Sequence, residues 1–208
     1  MKKSTKIIVL WLFIFFSTLL WSLIKPQDIL IWFLEAFPAV AGLIILFLTY
    51  RNFKFTNLIY WLILIHSVIL FIGAHYTYAE VPMFNWLRDT LDLSRNHYDK
   101  IGHFVQGFIP AMIARELLIR TSPLKAGKWL SFIVLSICLA ISAFYELIEW
   151  WTAVIAGPTV EDFLGTQGYI WDTQSDMALA LAGAAIALLL FSRYHNRLMS
   201  EHFGISSR

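Results

Sequence analysis

Residues 7–24 read IIVLWLFIFFSTLLWSLI and lie between Lys6 and Lys25 without a charged side chain. A helix needs about 20 apolar residues to cross the hydrocarbon core of a bilayer, so this run is long enough for one crossing. It exceeds the apolar core of a secretory signal, which is about 7–15 residues long, and no small-residue cleavage pattern follows it. We therefore predict a first membrane helix that is retained.

Further stretches of the chain share this apolar character. The sequence of 208 residues is 59% hydrophobic and only 14% charged, whereas a soluble domain carries about 25% charged residues. We therefore predict an all-α, polytopic membrane helical bundle of about six transmembrane helices, with residues 1–208 forming a single transmembrane domain. The predicted helices cover 7–24, 29–50, 55–78, 101–119, 129–151 and 173–192.

The basic residues are distributed unequally between the two sides of the predicted helices. Cytoplasmic loops of membrane proteins are enriched in lysine and arginine. If the N-terminus is cytoplasmic, all basic residues fall on the inner side except Lys25, Arg88, Arg95 and Lys100. We therefore predict that both termini are cytoplasmic. Membrane lipids are the partners we expect, and no nucleic acid.

Each of the last three predicted helices carries two ionisable residues near its outer end. The two residues are three or four positions apart, so they share a helix face. The pairs are Asp99 and His103, Glu146 and Glu149, and Asp172 and Asp176. Ionisable groups at membrane depth are costly and usually mark a functional site. We predict that these six side chains form a catalytic site, with His75 at the end of the third helix as a further candidate.

Two kinds of chemistry fit such a site. Imidazole and carboxylate groups bind zinc, manganese or iron, and a divalent metal would neutralise the clustered acids. Alternatively, a buried carboxylate beside another holds a proton near neutral pH, so that a His–Asp pair acts as base and the glutamate pair as acid. The sequence leaves both open. The candidate metal ligands are His75, His103, Glu146, Asp172 and Asp176.

Structural roles compete with function at several of these positions. Asp99 and Asp172 stand at helix starts, where a carboxylate can act as an N-cap. Glu149 fits a hydrated interfacial position, and His75 fits an interfacial anchor. For His103, Glu146 and Asp176, which lie deeper in their helices, capping is a poor explanation. We therefore expect a functional role mainly for these three residues.

Four ionisable residues lie away from the outer cluster. Glu35 and His66 stand within the second and third predicted helices, and we interpret them as a structural pair, with a proton path as the alternative. Arg115 and Glu116 lie at the inner end of the fourth helix. We interpret them as side chains that extend to the cytoplasmic interface.

Three classes of function remain open from the residues. The first is a membrane-embedded hydrolase acting on a lipid or envelope precursor at the outer face. The second is a small transporter or ion-handling protein, which requires a polar path through the protein and favours an internal repeat that the sequence lacks. The third is a structural membrane subunit in which the acidic cluster holds helices together. Replacing Glu146 or Asp176 would then impair folding rather than activity.

Four short stretches of the sequence together resemble a known family. They are residues 73–82 (GAHYTYAEVP), 96–104 (NHYDKIGHF), 145–150 (YELIEW) and 171–176 (WDTQSD). They resemble the YjdF-like family of bacterial inner-membrane proteins, which has no established activity. The resemblance spans essentially the whole chain and implies a multi-pass protein of the bacterial inner membrane.

A second resemblance covers less of the chain. Asp99, Lys100, His103 and Phe104 form an Asp-Lys-x-x-His-Phe helix start that resembles VanZ-like membrane proteins, which are associated with glycopeptide resistance. That family has a later Glu-x-x-Gln motif, and Glu149 stands here in place of the Gln.

Overall fold

The computed structural model describes residues 3–157 and 166–204. Within these ranges the secondary structure is helical, and no strand is present. The helices are α1 (Lys3–Ser22), α2 (Ile29–Thr49), α3 (Asn57–Tyr76), α4 (Pro82–Leu91), α5 (Tyr98–Thr121), α6 (Lys128–Ala156) and α7 (Asp172–Phe203), with a 3-10 turn at Tyr78–Glu80.

Length and hydropathy identify the membrane-crossing helices. Five described helices, namely α1, α2, α3, α6 and α7, are long and apolar enough to cross a bilayer. Helix α5 has 24 residues and would span about 36 Å at 1.5 Å per residue, but its ionisable residues lower its hydropathy. The prediction of an all-α, polytopic membrane protein is confirmed, and the crossing by α5 stays a prediction.

The chain divides into two compact units. The first consists of Met1–Lys54, Trp61–Asp99 and Ala156–Gly168, and the second of Phe55–Tyr60, Lys100–Ile155 and Tyr169–Arg208. In the first unit, aromatic rings join α1 to α3, since Phe15 and Phe71 meet edge to face with centroids 5.2 Å apart. The prediction of a single transmembrane domain over 1–208 stays a prediction.

Helix α4 is short, with one face packed on the protein and the other exposed. It lies in the first unit, where the ring of Phe84 packs edge to face on Tyr98 with centroids 5.3 Å apart. Met83 and Trp86 on the same helix are exposed. A surface helix with one apolar exposed face suits the interface between lipid and water. The contact of this helix with lipid is a prediction.

In the second unit, α5 and α7 pack backbone against backbone. A Cβ atom on Gly107 would overlap the carbonyl of Ala180, and one on Gly183 would overlap the carbonyl of Phe104. Small residues allow such close helix approach in membranes, where tight packing replaces the hydrophobic effect as the driving force. The small residues of α7 therefore fix its position against α5.

Replacing Gly107 with alanine is expected to lower the free energy of unfolding by about 1–3 kcal/mol, because the added methyl group overpacks the α5–α7 contact. Denaturant unfolding of the purified protein in mixed micelles measures this change. The matched control is Gly42→Ala in α2, where a Cβ would meet nothing within 4 Å. That change should be neutral or stabilising by up to about 1 kcal/mol. Equal effects at the two positions would contradict the close contact.

Candidate functional site

His103 of α5 lies between carboxylates from two other helices of the second unit. Its Nδ1 atom is 3.7 Å from Oε1 of Glu146 on α6, and its Nε2 atom is 3.9 Å from Oδ2 of Asp176 on α7. All three side chains are buried. Nδ1 also donates to Oε1 of Gln106 at 3.1 Å, which leaves Nε2 of the neutral ring with its lone pair. Each of the two ring nitrogens therefore has a carboxylate beside it.

Lys100, one turn before His103, holds the start of α7. Its ammonium group donates to Oδ1 of Asp172 at 2.7 Å, to Oγ of Ser175 at 2.8 Å and to Oδ1 of Asp176 at 2.7 Å. A lysine has three donors, and all three are used here. Because Oδ1 of Asp176 is bound to Lys100, its Oδ2 is directed to His103. The lysine therefore orients the carboxylate that faces the imidazole.

Two residues of the cluster, His103 and Asp176, lie close to the starts of their helices. His103 is five residues into α5 and Asp176 four residues into α7, which corresponds to about 6–8 Å of helix. Large aromatic residues on the same unit, Trp150, Trp151 and Trp171, are exposed. Exposed tryptophans are enriched at the level of the lipid headgroups. We therefore expect His103 and Asp176 to lie near the depth at which headgroups meet the acyl chains.

Three further predicted site residues are Asp99, His75 and Glu149. Asp99 belongs to the first unit, where its Oδ2 is 3.6 Å from Nη2 of Arg95. His75, also in the first unit, lies 3.1 Å from the carbonyl of Ser22 and contacts the ring of Trp21. Glu149 is buried one turn after Glu146 on α6.

The capping interpretation of Asp172 is wrong. The N-cap of α7 is Trp171, and no side chain caps this helix start. Asp172 instead lies in the first helical turn and binds Lys100. Its carboxylate is therefore part of the polar cluster.

A second buried polar cluster lies near the opposite end of α5. Glu116 is fully buried and accepts hydrogen bonds from Thr56 N at 2.9 Å, Thr56 Oγ1 at 2.7 Å, Arg120 Nη1 at 2.7 Å and His195 Nε2 at 2.8 Å. Four donors satisfy a carboxylate fully. This arrangement is typical of a structural network rather than of a site that binds a ligand.

The interpretation of Arg115 and Glu116 as side chains that extend to the interface is wrong. Arg115 is buried, and its guanidinium donates to Nδ1 of His195 at 3.1 Å and to Asn196. Because arginine can only donate, the ring of His195 carries its proton on Nε2, from which it donates to Glu116. Sequence analysis did not single out His195, since its partners lie far away in the chain.

Apolar helices that cross a membrane, together with buried ionisable side chains near their ends, define a polytopic membrane protein with a polar interior site. The chain belongs to the family described as "Predicted membrane protein (DUF2238)", whose model matches residues 7–197.

Sequence comparison also found a curated relative. The chain is 46% identical over 187 residues to "Inner membrane protein YjdF" of Escherichia coli strain K12, and the alignment covers 90% of this chain and 89% of the relative. The resemblance expected from the four sequence motifs is therefore confirmed, whereas the likeness to VanZ-like proteins stays a prediction. No solved structure matches the chain.

Proposed function

We propose that this protein is a membrane-embedded hydrolase that uses general acid–base chemistry at His103 on a lipid or lipid-linked envelope precursor. The observation that carries the proposal is the imidazole held between Glu146 and Asp176, with its Nδ1 oriented by Gln106. A positioned histidine contributes about 10²–10⁴-fold to rate when it moves a proton in the transition state.

The carboxylates support this role through charge. When Nε2 takes a proton from an attacking water, the ring becomes an imidazolium, and Asp176 and Glu146 lie within 4 Å of its two nitrogens. Opposite charges at this distance stabilise the charged form. The same proton is then available for the leaving group, so that the ring returns to its neutral state.

The depth of the cluster supports a lipid-like substrate. His103 and Asp176 lie within two turns of the starts of α5 and α7, and the ester, phosphate and glycosidic bonds of lipid headgroups lie at the ends of membrane helices. The unequal distribution of lysine and arginine favours the outer face of the membrane, with both termini cytoplasmic. We therefore propose that the substrate enters from the outer leaflet of the bacterial inner membrane.

A divalent metal is the alternative chemistry for the same residues. The imidazole and carboxylates of His103, Glu146 and Asp176 are donors that zinc, manganese and iron accept. However, the two carboxylates face different nitrogens of the ring, which suits proton transfer better than three ligands around one ion. Elemental analysis of the wild type beside His103→Ala distinguishes the two, since a stoichiometric metal lost in the variant would favour metal chemistry.

Helix packing argues against a transporter. A path for ions along α5 and α7 would have to join the cluster around His103 to the cluster around Glu116. Between them the two helices touch through their backbones at Gly107 and Gly183, which leaves no room for water or polar side chains along this contact. The hydrolase therefore accounts for more of the described structure.

His103→Gln is expected to reduce hydrolysis by at least about 100-fold, because an amide cannot take up the proton. Vesicles of total polar lipids from a bacterial inner membrane, with the protein inserted, are incubated in H₂¹⁸O. Mass spectrometry then measures lipid-derived products that contain one ¹⁸O atom, which report water as the nucleophile.

The matched control is His202→Gln. His202 is exposed near the end of α7, where its Nδ1 lies 3.0 Å from the carbonyl of Leu198 and its ring lies beside that of Phe203, so its replacement should leave the rate unchanged. Absence of labelled product from the wild type, or equal rates in the wild type and His103→Gln, would overturn the proposed hydrolase.

A further inference from the structure

The hydroxyl group of Ser142 on α6 is exceptional among the hydroxyls of its helix. The side chains of Ser131, Ser136 and Thr152 each donate to the carbonyl four residues earlier, at 3.3, 2.9 and 2.8 Å. This bond is the usual way in which a helical hydroxyl is satisfied in an apolar environment. Ser142 is fully buried, and its Oγ has no hydrogen-bond partner in the part of the chain that the structure describes.

Ser142 shares a helix face with Glu146 of the candidate site. It is four residues before Glu146, so both occupy one face of α6. Helical side chains lean towards the helix N-terminus and cover the preceding turn, which brings the Glu146 side chain over the turn that contains Ser142. A buried polar group without a protein partner calls for an explanation. A hydroxyl next to a buried carboxylate is a typical setting for a buried water molecule.

We propose that Ser142 and Glu146 bind a buried water molecule, and that Ser142 thereby acts as a positioning residue for the site. The water donates to the Glu146 carboxylate and accepts from the Ser142 hydroxyl, so that this hydroxyl gains a partner. Glu146 is 3.7 Å from Nδ1 of His103, and the water fixes the carboxylate beside the ring. The second part of this proposal rests on the proposed function, whereas the water site does not.

The stability of Ser142→Ala tests the water site. If the hydroxyl binds water, its loss leaves the water and the carboxylate poorly held, and we expect the Tm of the full-length protein to fall by about 3 °C. If the hydroxyl has no partner at all, its removal relieves an unsatisfied polar group and improves helix propensity. A Tm equal to or above that of the wild type would therefore overturn the water site.

Two further comparisons separate the hydroxyl from packing. Ser136→Ala is the matched control on α6, because the Ser136 hydroxyl already bonds to Phe132, and its Tm should stay within about 1 °C. If Ser142→Ala does not fold, Ser142→Thr and Ser142→Val provide a second pair of similar shape. The threonine variant should then have the higher Tm, and a valine variant of equal or higher Tm would overturn the proposal.

The rate of ¹⁸O incorporation tests the link to His103. We expect Ser142→Ala to lower kcat about 10-fold with KM unchanged, because the hydroxyl acts through Glu146 and not on the substrate. An unchanged kcat would overturn the positioning role. If the wild type forms no labelled product, the proposed hydrolase fails, and the sign of the Tm change still decides whether the water site exists.

Discussion

Replacing Glu116 with alanine is expected to lower the free energy of unfolding by about 3–5 kcal/mol, the range found when one partner of a buried ion pair is removed. Glu116 accepts hydrogen bonds from Thr56, Arg120 and His195, and it is fully buried. Without the carboxylate these donors stay buried with no acceptor, which costs free energy at each of them. Denaturant unfolding in mixed micelles measures the loss.

Glu201→Ala on α7 is the matched control. The Glu201 side chain is 51% exposed, and its ion pair with Arg197 has a nitrogen–oxygen distance of 2.7 Å. Exposed pairs of this kind contribute about 0.2–1 kcal/mol, so this variant should unfold almost as the wild type does. A Glu116→Ala protein as stable as Glu201→Ala would show that the network around Glu116 does not hold Thr56, α5 and α7 together.

Hydropathy predicted the centres of the helices better than their ends. The apolar run 7–24 corresponds to α1 (Lys3–Ser22), and the run 173–192 corresponds to the first part of α7 (Asp172–Phe203). Helix α7 continues past residue 192 because polar residues such as His195 and Asn196 are satisfied by Arg115. A hydropathy pattern contains no signal for a helix that is continued by such contacts.

The candidate site was predictable where it depends on spacing within one helix. The four-residue interval between Asp172 and Asp176 places both on one face of α7, and both do bind Lys100. The role of Lys100 itself was not predictable, because it depends on a contact between residues 72 positions apart in the chain. Contacts of this kind depend on helix packing, which the periodicity of a single helix does not specify.

Lys100→Met is expected to have the largest effect on the candidate site. The ammonium group binds Asp172, Ser175 and Asp176 at 2.7–2.8 Å, and its side chain is 17% exposed. Methionine retains much of the volume and removes the charge, so two neighbouring carboxylates lose the cation that they share. We expect the free energy of unfolding to fall by about 3 kcal/mol and ¹⁸O incorporation to fall by at least about 100-fold.

Two matched variants separate charge from packing at this position. Lys125→Met removes an exposed lysine before α6 and should be neutral. In Asp172→Asn the ammonium group of Lys100 still pairs with the carboxylate of Asp176, and the new amide still offers Lys100 an oxygen acceptor. We therefore expect the free energy of unfolding to fall by only about 1 kcal/mol. If Asp172→Asn lowers the free energy of unfolding as much as Lys100→Met does, the balance of charge around Lys100 does not explain the effect of Lys100→Met. If Lys100→Met resembles Lys125→Met, the lysine does not orient Asp176 towards His103.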